Sequence, residues 1–336
     1  MPEPALQLPW EQADWYEQAS AWIQSGLEQS GRRMSGPVEW LHTRAWSVFA
    51  RVPTREGAVY FKAPLPPPGF EAALTQTLAR WRPDCMLPVL VADLDRGWML
   101  SADAGVTLRS LGQTPAQLEH WHKVLPLYVE VQIELAARVD ELLALGAPDR
   151  RLAQLPQLYD QLLEDTENLR VGRSPGLTPD EHRRLIELRP RLAAECEQLA
   201  GYGLPATIAH EEVHENNVIV HDGRYVFTDW SDSSVAHPFF TMLVTLRAAA
   251  HWLKLEEFGP EMMQLRDIYL EAWTAFASRE DLRSAFEIAY RLAMVNRSLS
   301  WCIGLSSLPE KDKVEYDAVY GWLQDYLEAE TKALRH

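Results

Sequence analysis

The chain predicts an α+β fold in two lobes, a small antiparallel sheet with one inserted helix followed by a larger helical lobe. Three observations lead there. Short segments rich in Val, Phe, Tyr and Trp crowd residues 35–103. Helical spacing of apolar residues dominates from residue 106 onward, and a hairpin pattern at 218–227 interrupts it.

Residues 14–30 carry Trp15, Trp22, Ile23 and Leu27 at helical spacing, with Ser30-Gly31 as a stop. Segments 37–42, 45–52 and 57–63 are separated by turn residues such as Thr54-Arg55-Glu56-Gly57 and read as three antiparallel strands. A proline-rich break from Pro64 to Gly69 precedes a helix over 70–81. Two further strands, 87–93 and 97–103, meet at an Asp95-Arg96-Gly97 turn. The order is β-β-β-α-β-β, and the lobe boundary is expected within 101–106, between lobes of 1–103 and 104–336.

In the second lobe, Thr114-Pro115-Ala116-Gln117 has the composition of a capping box before a helix marked by Val124, Tyr128, Val131, Leu135, Val139 and Leu142. Pro126 should kink that helix or delay its start, and Gly146 and Pro148 end it. Thr178-Pro179-Asp180-Glu181 repeats the cap before a helix ending near Gly201. Val218-Ile219-Val220 and Tyr225-Val226-Phe227 flank His221-Asp222-Gly223-Arg224 as a hairpin, and more helices fill 237–334.

The 336 residues are 47% hydrophobic and 24% charged, with 13 Trp, the composition of a globular protein with a substantial core. Acidic residues outnumber basic ones 48 to 32, a formal charge of −16. That balance excludes a non-specific nucleic-acid binder, which needs a basic footprint, and is compatible with a cationic small-molecule substrate. Cys85, Cys196 and Cys302 are far apart and form no CxxC pair, so they read as free thiols in a reducing compartment. The first residues, MPEPALQLPWEQADWYEQ, lack the pattern of a signal peptide. No apolar run approaches the roughly 20 residues of a membrane span. A cytoplasmic protein with no membrane partner is expected.

The densest group of chemistry-capable residues brackets the hairpin. His210-Glu211-Glu212-Val213-His214-Glu215-Asn216-Asn217 stands before it, and Asp229-Trp230 after it. A hairpin brings residues before its first strand near those after its second, so Glu212, Asn217 and Asp229 can converge. An amide and a carboxylate are hard oxygen ligands suited to Mg²⁺. A further carboxylate can orient or deprotonate an attacking hydroxyl.

The spacing H-x-E-x-x-x-x-N, a hairpin and then D-W resembles the catalytic and metal-binding loops of the aminoglycoside phosphotransferase and choline kinase family, whose fold is protein-kinase-like. The resemblance extends over nearly the whole chain, since the β-β-β-α-β-β order matches that family's N-lobe. It implies an ATP- and Mg²⁺-dependent kinase acting on a small-molecule hydroxyl. It makes Asn217 and Asp229 the Mg²⁺ ligands, His210 the histidine bracing the catalytic loop, and Lys62, in Val59-Tyr60-Phe61-Lys62-Ala63, the lysine pairing with the α/β-phosphates. Glu71 becomes the partner that holds Lys62. The segment Leu100, Ser101, Ala102 and Asp103 becomes the hinge whose backbone holds adenine.

Two departures stand out. Glu212 occupies the position of the family's catalytic aspartate, which raises the alternative of a nucleotide-binding pseudokinase. No glycine-rich loop joins the first two strands, where the sequence reads EWLHTRAWSV. A rival reading lies in the same residues: His210-Glu211-Glu212-Val213-His214 matches H-E-x-x-H, a zinc-peptidase motif that requires a helix. His214, His221 and His237 have no mutual spacing that calls for a metal.

Overall fold

The computed structural model describes residues 8–65, 69–114, 116–306, 308 and 318–333. The first residues of the N-terminal segment, the centre of the proline-rich break at 66–68, and Pro115 lie outside them. The chain divides into two compact units. One contains the described residues up to Thr107 together with Val218–Ser231, and the other contains Leu108–Asn217, Asp232–Ser306 and the C-terminal helix.

The first unit opens with helix α1 (Trp15–Gln29) and continues with β1 (Glu39–Thr43), β2 (Ser47–Thr54), β3 (Gly57–Pro64), α2 (Glu71–Trp81), β4 (Val89–Asp93) and β5 (Trp98–Ala102). The strands form one antiparallel sheet in the order β1-β2-β3-β5-β4. The β-β-β-α-β-β order is the one the sequence predicts.

Strand period decides what each side chain does here. Val59, Phe61 and Ala63 alternate onto one face of β3 and are buried with Val48, Ala50 and Val52 of β2. Trp15, Ala19, Ile23 and Leu27 of α1 cover that face. Gly26 lets the helix approach closely, because a Cβ there would stand 2.8 Å from Leu100 Cδ1. Burying each such aliphatic or aromatic side chain contributes about 1.5–3 kcal/mol, which makes this face the anchor of the unit. Tyr60 and Lys62 necessarily take the opposite face.

A second, three-stranded sheet joins β6 (Val106–Thr107) to the hairpin β8 (Val218–His221) and β9 (Arg224–Phe227). Asp222 and Gly223 at the turn have φ of 48° and 77°, the left-handed pair that suits a two-residue hairpin. Gly105 enters β6 at φ 118°, and a Cβ there would lie 2.4 Å from the Val220 carbonyl oxygen. Two residues of strand carry no readable period, so β6 has no signature in the sequence.

The second unit contains α3 (Gln117–Ala136), α4 (Val139–Ala144), α5 (Leu155–Glu164), α6 (Pro179–Glu187), α7 (Arg189–Ala200), β7 (Thr207–Ala209) and β10 (Ser234–Ala236). Helices α8 (Met242–Leu253), α9 (Pro260–Glu271), α10 (Arg279–Ser306) and α11 (Ala318–Ala333) complete it. Strands β7 and β10 pair antiparallel. Gln132 is buried and fully used beside them. Its Nε2 donates to the carbonyls of Ile208 and Pro238, and its Oε1 accepts from the Tyr269 hydroxyl at 2.6 Å. Such a satisfied buried amide ties α3, β7 and α9 together.

Several boundaries differ from the sequence reading. Thr114 does not cap α3: the helix starts at Gln117, whose buried side chain donates instead to the Leu108 carbonyl at 2.7 Å. Tertiary burial has claimed the residue that a capping box would use. Pro126 lies inside α3 and does not delay its start, since burial of Val124, Leu125, Tyr128 and Val129 offsets its missing N–H. The predicted single face through Leu142 is split at Ala137-Arg138 into α3 and α4. The helix expected from 178 to about Gly201 is two, parted at Leu188 with Pro190 in the first turn of α7. The Thr178 capping box forms as read, with the Glu181 N–H donating to the Thr178 hydroxyl at 3.2 Å.

Candidate active site

Within the first unit, Lys62 is the centre of a charge cluster. Its Nζ donates to Glu71 Oε1 and to Asp229 Oδ1, each at 2.6 Å. Three local rules produce the meeting. The β3 alternation turns Lys62 away from α1, Glu71 opens α2, and the β8–β9 register pairs Val218 with Phe227, two residues before Asp229. Trp230, fully buried, anchors the chain just past Asp229. Burial alone would lower the Lys62 pKa, but the Asp229 and Glu71 carboxylates outweigh it and hold the ammonium above its ordinary value. The Lys62 side chain is 16% exposed and that of Asp229 is 40%, so the cluster presents its aspartate outward. Ser231 Oγ donates to Asp229 Oδ1 at 3.1 Å.

On the same sheet, Leu100 is buried in the core against α1, and Ser101 lies opposite Tyr60. The N–H of Ala102 donates to the Pro88 carbonyl at 2.9 Å, and that of Asp103 to Ala58 at 3.2 Å. Those two N–H groups serve the sheet.

Within the second unit, the segment 210–217 is an irregular loop held from both sides. His210 is fully buried. Its N–H donates to the Tyr128 hydroxyl at 2.9 Å, and its Nδ1 accepts from the Glu212 N–H at 3.3 Å. Asn217 donates from Nδ2 to the Glu212 carbonyl at 3.1 Å, which identifies Oδ1 as the hard oxygen of that amide. An amide oxygen is a hard donor of the kind Mg²⁺ accepts. Glu215 pairs with Arg109 at 2.8 Å, and the Arg109 guanidinium lies 4.1 Å from the Trp252 ring centroid. His214 Nδ1 accepts from the Asn216 N–H at 3.2 Å.

The adjacent glutamates have separate partners. Glu211, at φ 63°, is buried and faces Arg150 at 3.3 Å, the Ser300 hydroxyl at 2.6 Å and the Ser234 hydroxyl. Glu212 turns to Arg297, whose other terminal nitrogen holds Asp232 at 2.7 Å. The segment is not helical and Glu211 is left-handed, so His210 and His214 do not share a helix face as H-E-x-x-H requires. The zinc reading fails on that geometry.

Arg150, Asp232, Arg297 and Ser300 were not legible as site residues. One signal does exist. Asn296, Arg297 and Ser298 interrupt an apolar stretch of α10 and are all buried, and a buried charge needs a partner.

No family model matches the sequence, and no curated protein matches it. Solved structures do match. A choline/ethanolamine kinase family protein from Mesorhizobium loti superposes with a TM-score of 0.61 at 15% identity, covering 94% of both chains. The choline kinase LicA from Streptococcus pneumoniae gives 0.58 at 13% identity, covering 93% of this chain and 98% of that one. A spectinomycin phosphotransferase, solved with ADP and spectinomycin, gives 0.53 at 11% identity over 92% and 96%. This chain therefore has the protein-kinase-like fold shared by choline and ethanolamine kinases and antibiotic phosphotransferases.

Proposed function

We propose that the protein transfers a phosphoryl group from ATP to a hydroxyl of a small molecule. The observation that carries this reading is Lys62 held between Glu71 and Asp229, a cation fixed by one buried carboxylate and presented beside another that is more exposed. Phosphoryl transfer asks the protein mainly for positioning and charge neutralisation, and this arrangement supplies both.

In the proposed roles, Lys62 pairs with the α/β-phosphates and Glu71 keeps it in place. Asn217 Oδ1 and the Asp229 carboxylate would hold Mg²⁺, which when bound neutralises charge developing on the β/γ-phosphates. His210 keeps the loop in shape through its bonds to Tyr128 and Glu212. Glu212 orients the acceptor hydroxyl and takes up its proton. The base lies along Leu100–Asp103, held by groups other than the N–H of Ala102 and Asp103.

The acceptors named for the similar structures, choline, ethanolamine and spectinomycin, define the first screen. The formal charge of −16 favours the cationic ones through long-range attraction. The described cysteines are free thiols, two of them buried, which fits a reducing compartment, and we place the reaction in the cytoplasm.

A second reading, nucleotide binding with attenuated transfer, is favoured by one observation: the Glu212 carboxylate is already paired with Arg297. Thermal denaturation with ATP, with and without Mg²⁺, tests the common part of both readings. A midpoint that rises only when ATP and Mg²⁺ are both present is expected. No response to ATP under either condition would overturn them. ADP release in the presence of choline, ethanolamine or spectinomycin then separates the enzyme from the attenuated form.

A further inference from the structure

We infer that Arg297 is a positioning residue that adapts the loop to a glutamate at 212, an inference that rests on the proposed phosphotransfer role of Glu212. The guanidinium is a planar fork, and here its two terminal nitrogens are divided between two carboxylates. Nη1 holds Asp232 at 2.7 Å and Nη2 holds Glu212. A rigid fork of this kind fixes the separation and direction of the groups it binds, which a point-charge ammonium does not.

Burial gives the arrangement its stiffness. The Arg297 side chain is 4% exposed, whereas Glu212 and Asp232 are 25% and 34% exposed. The cation is thus underneath and the carboxylates outside. Arg297 stands on the 28-residue helix α10 between buried neighbours, and the Trp301 ring lies 5.5 Å from its guanidinium. A glutamate has one more rotatable bond than an aspartate and would otherwise spread over several rotamers. At 212 every handle on the residue is engaged. The N–H goes to His210 Nδ1, the carbonyl accepts from Asn217 Nδ2, and the carboxylate meets Arg297.

Of the other groups nearby, His214 Nε2 stands 3.9 Å from the second Glu212 oxygen, farther than a hydrogen bond reaches. Glu211 is matched by Arg150 and the Ser300 and Ser234 hydroxyls, and the Arg297 fork remains with Glu212 and Asp232. An aspartate at 212 would withdraw its carboxylate by about one C–C bond, roughly 1.5 Å. It would lose the fork while leaving the Arg297–Asp232 pair intact. Glu212 and Arg297 therefore act as one unit, and restoring an aspartate alone does not restore a better enzyme.

The test pairs crystallography with kinetics. Crystal structures of the wild type and of Arg297→Met are compared at residue 212. The Glu212 carboxylate is expected to leave its wild-type position, and an unmoved carboxylate would overturn the inference. ADP release from MgATP is measured with choline, ethanolamine and spectinomycin. Arg297→Met should lower kcat on the order of 10²-fold, the scale of a misplaced catalytic group, with the KM for ATP unchanged. Arg297→Lys should recover part of the loss. A normal kcat, or a loss confined to KM, would count against a positioning role.

Should Arg297→Met fail to fold, Glu212→Asp serves in its place, because it leaves the Arg297–Asp232 pair standing. A fall in kcat supports the inference and a rise overturns it. A wild type that releases no ADP with any acceptor or with water removes the proposed function instead. The crystallographic comparison still decides whether Arg297 places Glu212.

Discussion

Two acidic residues of the candidate site share one backbone conformation, Glu211 at φ 63° and Asp229 at φ 64°. For an L-residue that conformation costs on the order of 1–2 kcal/mol, so each must be held by its surroundings. Their surroundings differ. Glu211 is buried within one unit against Arg150, Ser234 and Ser300, with its partners drawn from a loop, a strand and a helix. Asp229 is 40% exposed and is held from below by Lys62 and Ser231. In the first case strain is the by-product of a buried network that fixes a loop. In the second, the strained residue is the one left facing outward. Burial tells the two apart, because a strained acid committed to internal partners is a structural device, whereas one held at the surface of its unit is available to a ligand.

Glycine at each position breaks the comparison most directly, since it relieves the strain and deletes the carboxylate. Asp229→Gly should lower phosphoryl transfer on the order of 10²–10³-fold, the scale of losing one preorganised electrostatic contact. Its stability should change by no more than about 1 kcal/mol, because relief of strain is set against the loss of one of the two carboxylates on Lys62. Titration of ATP binding with and without Mg²⁺, beside a urea melt, measures both. Equal ATP affinity with and without Mg²⁺ is the expected result. A preserved Mg²⁺ effect would take Asp229 out of the metal site.

Glu211→Gly should do the reverse. Removing one partner of a buried pair costs about 3–5 kcal/mol, and relief of strain returns about 1, leaving a loss of roughly 2–4 kcal/mol. Urea denaturation gives the number directly. A variant as stable as the wild type would show that Arg150 is satisfied without Glu211, and the contrast with Asp229 would collapse.

The smallest effect concerns acid. His237 is buried on the same unit as Glu211, accepts from the Phe239 N–H, and has its pKa pushed down to about 3 by burial. The unfolded chain binds that proton near pH 6.5, before the folded protein does. Its neutral form is therefore fully compatible with the fold above about pH 6.5. Stability is lost as the pH falls from there towards 3, at up to about 1.4 kcal/mol per pH unit. His237→Asn keeps an acceptor for the Phe239 N–H and removes the titration. The difference in stability between variant and wild type should grow between pH 6.5 and 4. A constant difference across that range would mean that His237 is not the acid-sensitive group.

The elements that carry the site were legible where local physics is strong. The segment 57–63 reads as the strand that carries Lys62, and Asp222-Gly223 predicts the turn that returns the chain towards Asp229. Even the Thr178 cap is as read. Where the reading failed, a residue had been claimed by tertiary packing: Gln117 by the Leu108 carbonyl. The acidic pair at 211 and 212 shows the limit most clearly. Nothing in two consecutive glutamates says that one turns to Arg150, 61 residues away, and the next to Arg297, 85 residues away.

The sequence by itself therefore determined the order of elements, the placing of Lys62 and Glu71 on β3 and α2, and the hairpin between Asn217 and Asp229. These follow from periods of two and 3.6 residues and from turn chemistry, which act over a few neighbours. The tertiary structure decided which charges pair, which glutamate is buried, and what holds Glu212. Those outcomes depend on desolvation, and a charge is desolvated only by the elements that pack around it.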